Sequence, residues 1–227
     1  GLKEGLLSTD ALEYTNAFGT FCWGYIADSH TSVAYATPYL GAKEPGEGKN
    51  ITPAQEILQM MQLQLELAEK RSEYFDPATN FYQEVGNTAY ITFDAFTLGI
   101  RASREDVVGD IIDIVRVAHT QITSNPAIEN VVIDLSCNGG GTVDSAVYLA
   151  AWMLGSCDLS VYSSLTESKA ITSYSVDVNL DGVFDENDTI SDKNLYCLIS
   201  PLSFSCGNSV PAMLKESGKV TLLGQTS

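Results

Sequence analysis

Short apolar stretches that alternate with helix-type patterns dominate the second half of the chain. The stretches with strand character cover residues 88–93, 131–135 and 195–200, and they are rich in β-branched and aromatic residues. Helix-type patterns cover residues 104–122 and 142–154. Strands that alternate with helices are typical of α/β proteins. We therefore predict an α/β core.

The first half of the chain has a different pattern. Residues 1–40 mix helical and loop character, and residues 41–50 form a polar stretch. A capping box at Thr52 to Gln55 predicts a helix over residues 53–72. The apolar face of this helix comprises Ile57, Leu58, Met61, Leu65 and Ala68. We predict a small, mainly helical N-terminal segment over residues 1–85 and a core domain over residues 86–227.

A run of three glycines follows the strand-type stretch at residues 131–135. Gly139, Gly140 and Gly141 lead directly into the helix pattern that starts at Thr142. Glycine lets the backbone approach a ligand closely, and the N-terminus of a helix adds partial positive charge. Such a loop can hold a carboxylate, a phosphate or a developing oxyanion. The alternative is a simple strand-to-helix turn.

A serine-containing loop follows the strand-type stretch at residues 195–200. Pro201 ends the strand, and the loop from Ser203 to Asn208 leads into a helix pattern over residues 209–215. Ser203 or Ser205 could simply cap that helix. A serine there also lies near free backbone N–H groups, which suits a nucleophile. Together with the glycine loop, this arrangement favours acyl transfer.

Both loops resemble those of the C-terminal-processing or tail-specific serine peptidases, including tricorn-like core domains. The family hallmark Asp-Leu-Arg-x-Asn-x-Gly-Gly matches residues 134–141, with Ser136 in place of arginine. The family Ser-Ala-x-Glu segment matches residues 205–208, with Cys206 and Asn208 in place of alanine and glutamate. The resemblance implies a ClpP/crotonase-like ββα superhelix and a serine endopeptidase.

The resemblance also implies roles for single residues. Ser205 is the expected nucleophile, which forms an acyl-enzyme. Gly140 and Cys206 are the expected oxyanion donors, with Gly141 as the next candidate.

The general base is expected from a second, shorter match. Tricorn-like members carry an Asp-x-His-Thr segment, similar to residues 28–31 here. The resemblance implies that His30 is the base and that Ser29 orients it. His119, the other histidine, lies in a helix pattern, where a packed or surface histidine is expected.

A lysine base remains an open alternative. Many family members use a Ser–Lys dyad, with the lysine in a segment after the last core strand. The sequence ends at Ser227, where that segment would begin. We therefore expect the core domain to be incomplete at its C-terminus.

Residues 177–188 have the spacing of a twelve-residue calcium loop. Oxygen ligands are expected from the side chains of Asp177, Asn179, Asp181, Asp185 and Asp188, and from the Val183 carbonyl. Gly182 occupies the sixth position. Residues 170–176 read as a strand rather than a helix, so the loop resembles that of dockerins. We predict one structural Ca²⁺; the alternative is an acidic hairpin with an Asp-Gly turn.

Composition limits the possible partners. The formal net charge of −17 argues against nucleic acid and anionic membrane surfaces. No stretch reaches the ~20 apolar residues of a membrane span. The five cysteines lack zinc-type spacing. The resemblance to the peptidases implies a polypeptide substrate bound as an extended segment. The calcium-type loop and the resemblance together lead us to expect an extracytoplasmic or secreted location.

Two other function classes remain open. A crotonase-type acyl-CoA enzyme would share the glycine loop without needing the serine. A non-catalytic, calcium-stabilised pseudopeptidase would bind peptides without cleaving them.

Overall fold

The computed structural model describes residues 1–26, 55–74, 80–98 and 110–227. Its internal contacts form two compact units, Gly1–Leu63 and Gln64–Ser227. The division predicted from the sequence, at residues 85 and 86, stays a prediction.

The described part of the first unit begins with helices. It contains α1 (Leu2–Gly5), α2 (Ala11–Phe21) and a π-helix (Cys22–Ile26). The Asp10 carboxylate caps α2 by accepting the Glu13 N–H at 2.8 Å. The expected helical character of the N-terminal region is confirmed.

Seven strands and four further α-helices are described, together with a short 3-10 helix (Glu186–Asp188). The strands are β1 (Tyr82–Val85), β2 (Thr88–Thr92), β3 (Asn130–Asp134), β4 (Cys157–Ser163), β5 (Ser168–Tyr174), β6 (Asn194–Ile199) and β7 (Val220–Gly224). The helices are α3 (Gln55–Ser72), α4 (Ile111–Ser124), α5 (Val143–Leu154) and α6 (Cys206–Glu216). The three predicted core strands agree with β2, β3 and β6 to within a residue or so at each end. Leu65, on the predicted apolar face of α3, is 66% exposed and so does not belong to the buried core.

Five strands form one sheet in the order β1-β2-β3-β6-β7, and β4 and β5 form a separate hairpin. The β1-β2 pair is antiparallel, and the other three pairs are parallel. Helices follow β3 and β6, and their apolar sides pack into the same buried core as the strands. The predicted α/β class is confirmed. No helix among the described ranges is both long and apolar enough to cross a membrane.

The sheet topology brings two loops to one edge. Strands β3 and β6 are parallel neighbours, with Asp134 opposite Leu198 near their C-terminal ends. Each strand is followed by a loop and then a helix, α5 or α6. Ligands of open α/β sheets bind outside the carboxyl ends of the strands, which is where these two loops lie.

Candidate active site

Ser205 lies directly before α6 in an unusual backbone conformation. Its φ is +55° and its ψ is −121°, and its side chain makes no capping hydrogen bond to the helix. A non-glycine residue held there costs of order 1–3 kcal/mol, and such strain clusters at functional sites. A serine that served only as a cap would instead accept a backbone N–H of the first turn.

Ser203 has a structural role in the same loop. Its hydroxyl donates to the Leu135 carbonyl at 2.8 Å and accepts the Ser200 N–H at 3.0 Å. The side chain is also buried. Of the two candidate serines, Ser203 therefore joins the ends of β3 and β6, while the Ser205 hydroxyl has no hydrogen-bond partner among the described residues.

The glycine loop lies against Ser205. A Cβ added to Gly140 would lie 2.5 Å from the Ser205 Cβ and 2.8 Å from the Phe204 carbonyl oxygen. The Phe204 N–H donates to the Asn138 carbonyl at 3.0 Å, which joins the two loops directly. Only glycine fits at position 140 without displacing the serine.

Hydrogen bonds decide which N–H groups of the glycine loop are available. The Gly140 N–H donates to Asn138 Oδ1 at 2.9 Å. The Gly140 carbonyl accepts the Phe96 N–H at 2.7 Å. Because this peptide is trans, the Gly141 N–H points away from Phe96. Gly140, the first expected donor, is thus already engaged, and no described residue accepts the Gly141 N–H.

Cys206 supplies the second available N–H. It is the first residue of α6, where backbone N–H groups lack helical acceptors. Its thiol donates to the Gly141 carbonyl at 3.3 Å, so one residue contacts both loops. Burial raises the pKa of the Cys206 thiol, which keeps it protonated at neutral pH.

Asn138 holds the glycine loop in place, a role that was not predicted from the sequence. Its side chain is fully buried, and Nδ2 donates to the Phe93 carbonyl at 2.9 Å. Gly207 packs so closely that a Cβ there would lie 2.4 Å from the Asn138 carbonyl oxygen. The presence of Asn138 in the family hallmark was the signal that could have identified it.

Residues 93–96, here called the supporting segment, run beneath the glycine loop. The Asp94 carbonyl accepts the Gly139 N–H at 2.9 Å, and the Phe96 carbonyl accepts the Thr142 N–H at 2.9 Å. The Phe93 carbonyl also accepts from Asn138 Nδ2, and the Phe96 N–H donates to the Gly140 carbonyl. Four hydrogen bonds thus connect this segment to the loop. Nothing in the sequence pattern indicated this support.

The predicted base cannot be placed. Ser29 and His30 lie outside the described residues, so their roles stay predictions. His119 is buried in α4, and its Nδ1 accepts the Trp152 Nε1–H at 3.1 Å. Burial lowers its pKa, which favours the neutral form. His119 is a packed histidine, one of the two roles expected for it.

The chain that leaves β7 returns toward α6. Gln225 N–H donates to the Ile199 carbonyl at 3.1 Å, and the Ser227 hydroxyl donates to Asn208 Oδ1 at 2.7 Å. Asn208 lies in the first turn of α6, three residues after Ser205. The residues after β7 therefore contact the end of β6 and the first turn of α6.

Side-chain oxygens of the calcium-type loop accept hydrogen bonds from backbone N–H groups of the same loop. Asp177 Oδ2 accepts the Gly182 N–H at 3.0 Å, and Asp188 Oδ1 accepts the N–H groups of Val178 and Asn179 at 2.8 and 3.1 Å. Asn179 and Asp181 accept from residues two positions further on. Asp185 accepts the Asn187 N–H, and Val183 is exposed.

One oxygen of this loop lacks a partner. Asp177 Oδ1 is buried and has no hydrogen bond to any described residue. Asp177, at the first ligand position, therefore has an oxygen that a cation could satisfy. Within the described ranges, no three His, Cys, Asp or Glu side chains already form a metal-binding group. A cation would therefore have to draw the loop oxygens together.

Three of the solved structures that are similar to the chain illustrate the match. The first is a photosystem II D1 C-terminal processing protease, with 17% identity over 60% of this chain and 29% of that chain and a TM-score of 0.43. The second is a putative S41 protease from Bacteroides fragilis NCTC 9343, with 17% identity over 62% of this chain and 36% of that chain and a TM-score of 0.47. The third is a putative peptidase from Parabacteroides merdae ATCC 43184, with 14% identity over 92% of this chain and 73% of that chain and a TM-score of 0.41. The chain thus spans only about a third of the length of the first two.

Sequence comparisons give one family match. The model of peptidase family S41 matches residues 87–227, which contain both loops described above. A comparison with curated protein sequences gives no significant match.

Proposed function

Because the chain belongs to peptidase family S41, we propose that it is a serine endopeptidase of the tail-specific type, with Ser205 as nucleophile. The observation that carries this proposal is the positive φ of Ser205 at the start of α6, beside the glycine loop. The strained turn presents the hydroxyl instead of letting it cap the helix.

The proposed reaction has two steps. Ser205 Oγ attacks the scissile carbonyl carbon while its proton passes to the base. The resulting oxyanion accepts hydrogen bonds from the N–H groups of Gly141 and Cys206. These N–H groups have no other acceptor among the described residues. The C–N bond then breaks, and the amine leaves with the proton from the base. Water hydrolyses the acyl-enzyme by the same route.

His30, oriented by Ser29, is the proposed base. Histidine suits this task because its pKa lies near neutral pH. The support is the sequence of residues 28–31 alone. A lysine from the segment after the last core strand, as in the Ser–Lys members of the family, is the competing base.

The proposed substrate is a polypeptide bound as an extended segment and cut near its C-terminus. The tail-specific type is supported by the match of residues 134–141 to the family hallmark. The net charge of −17 agrees with a peptide rather than a nucleic-acid partner.

We also propose that residues 177–188 bind one structural Ca²⁺. The ligands are the side chains of Asp177, Asn179, Asp181, Asp185 and Asp188 and the Val183 carbonyl. The buried, unpartnered Asp177 Oδ1 supports this assignment, because an unpaired carboxylate oxygen is costly without a cation or a donor. A calcium requirement would suit an extracytoplasmic or secreted location.

Peptide hydrolysis by single-residue variants tests the proposed nucleophile. Ser205→Ala should lower kcat by roughly 10⁴-fold or more, because the remaining groups cannot form the acyl-enzyme. Ser217→Ala, at the opposite end of α6, is the matched control and should keep wild-type activity. A Ser205→Ala protein that still cleaves peptides would rule out the nucleophile. Peptide binding without cleavage by the wild type would indicate the pseudopeptidase instead.

A further inference from the structure

An ion pair anchors the supporting segment to a helix. Arg71 lies in the last turn of α3, and its guanidinium reaches both carboxylate oxygens of Asp94 at 2.7 and 2.8 Å. Arg71 Nη1 also donates to Thr92 Oγ1 at 3.3 Å. Arg71 therefore binds Thr92, the last residue of β2, and Asp94, the first polar residue after it. The point of contact is therefore the start of the supporting segment.

The pair is unequally buried. The Arg71 side chain is only 10% exposed, whereas that of Asp94 is 52% exposed. Arg71 Nε is buried without a partner among the described residues. A guanidinium that is buried this far and paired with one carboxylate depends strongly on that partner.

The backbone of Asp94 continues the connection to the glycine loop. The Asp94 carbonyl accepts the Gly139 N–H, and two residues later the Phe96 N–H donates to the Gly140 carbonyl. The second bond fixes the peptide group between Gly140 and Gly141, and therefore the direction of the Gly141 N–H. The path from Arg71 to this N–H thus consists of one ion pair, a short backbone segment and two hydrogen bonds.

We propose that the Arg71–Asp94 ion pair is a positioning device that sets the direction of the Gly141 N–H through residues 93–96. This inference rests on the proposed function of Ser205. Neither side chain touches the reacting atoms, so both are positioning residues. Loss of the pair tilts the donor away from the oxyanion, which weakens stabilisation of the transition state more than binding of the substrate.

The rate of Ser205 phosphonylation by a fluorophosphonate tests the inference. In this reaction the Oγ–P bond forms, the P–F bond breaks, and fluoride leaves. Arg71→Met and Asp94→Asn should each slow phosphonylation between about 10- and 100-fold, the scale expected for small misplacements in a site. KM for a peptide substrate should change much less than kcat. The double variant should be no slower than the slower single variant, because both changes break the same pair.

Two further variants separate positioning from general stability. Lys193→Met breaks a different ion pair, that with Asp192 at 3.1 Å, before the N-terminal end of β6 and away from the loops. It should leave the rate unchanged. Arg71→Lys keeps the charge and should retain more activity than Arg71→Met.

The possible outcomes distinguish the two proposals. If the wild type reacts at Ser205 and Asp94→Asn reacts equally fast, the positioning role is wrong while the nucleophile stands. If the wild type does not react at Ser205, the proposed function itself fails. Should Arg71→Met not fold, Asp94→Asn decides, because its side chain is half exposed and keeps its shape.

Discussion

At the scale of single residues, backbone strain separates Ser205 from its neighbours. Among the described residues, Glu167, Leu180 and Ser205 are the non-glycine residues with positive φ. Glu167 lies in the turn between β4 and β5, and Leu180 lies in the calcium-type loop, where tight turns require such angles. Ser205 instead begins a helix, where an ordinary extended conformation would serve. Its strain therefore needs a functional explanation.

Replacement of Asn138, which holds the glycine loop in place, should lower the free energy of unfolding. Asn138→Ala would leave the Gly140 N–H and the Phe93 carbonyl without their present partners. Each buried, unpaired group costs about 1–3 kcal/mol, so for two groups we expect the free energy of unfolding to fall by about 2–6 kcal/mol. Urea denaturation measures this change. The exposed Asn208→Ala is the control and should shift stability by about 0.5 kcal/mol or less. Equal stability of both variants would contradict the anchoring role.

At the scale of elements, the sequence pattern located the strands and the loops but not the direction of the N–H groups. The apolar run at residues 131–135 and the glycines after it were sufficient to predict β3, its loop and α5. The direction of the Gly141 N–H depends on Phe96, which lies more than forty residues earlier in the sequence. Arg71 and Asp94 are likewise 23 residues apart. Such partners are set by tertiary structure, which no local pattern records.

The calcium-type loop is the element with the clearest dependence on solution conditions. Without a cation, the carboxylates of this loop repel one another and Asp177 Oδ1 lacks a partner. Free Ca²⁺ at about 100 times its dissociation constant should add about 2.7 kcal/mol to the free energy of unfolding. Thermal melts with Ca²⁺ and with a chelator measure this difference.

Two variants give this test its control. Asp177→Asn should abolish the calcium dependence of the melting temperature. Glu186→Gln removes a charge from the same loop at a position that is not a predicted ligand, and should retain the dependence. Identical melting temperatures with and without Ca²⁺ in the wild type would show that the loop is an acidic turn only.

At the scale of the whole molecule, the proposed mechanism needs a base from a part of the sequence distant from Ser205. His30 and Ser205 lie far apart in the sequence, and His30 lies outside the described residues. If His30 is the base, His30→Ala should lower kcat/KM nearly as much as Ser205→Ala, and the double variant should lose little more. The wild-type pH profile should then fall below about pH 6.5, the ordinary pKa of histidine.

A lysine base predicts a different result in the same assays. His30→Ala would keep most of its activity, and the wild-type profile would show no histidine limb. Activity would instead depend on a lysine that follows β7.

The identity of the nucleophile is the central claim, and mass spectrometry of the protein after fluorophosphonate treatment tests it most directly. We predict a single phosphonyl adduct on the peptide that contains Ser205, formed at a rate that falls when the protein is unfolded first. Ser205→Ala should carry no adduct. An adduct on another residue, or a folded and peptide-cleaving protein that the reagent never labels at Ser205, would contradict the account.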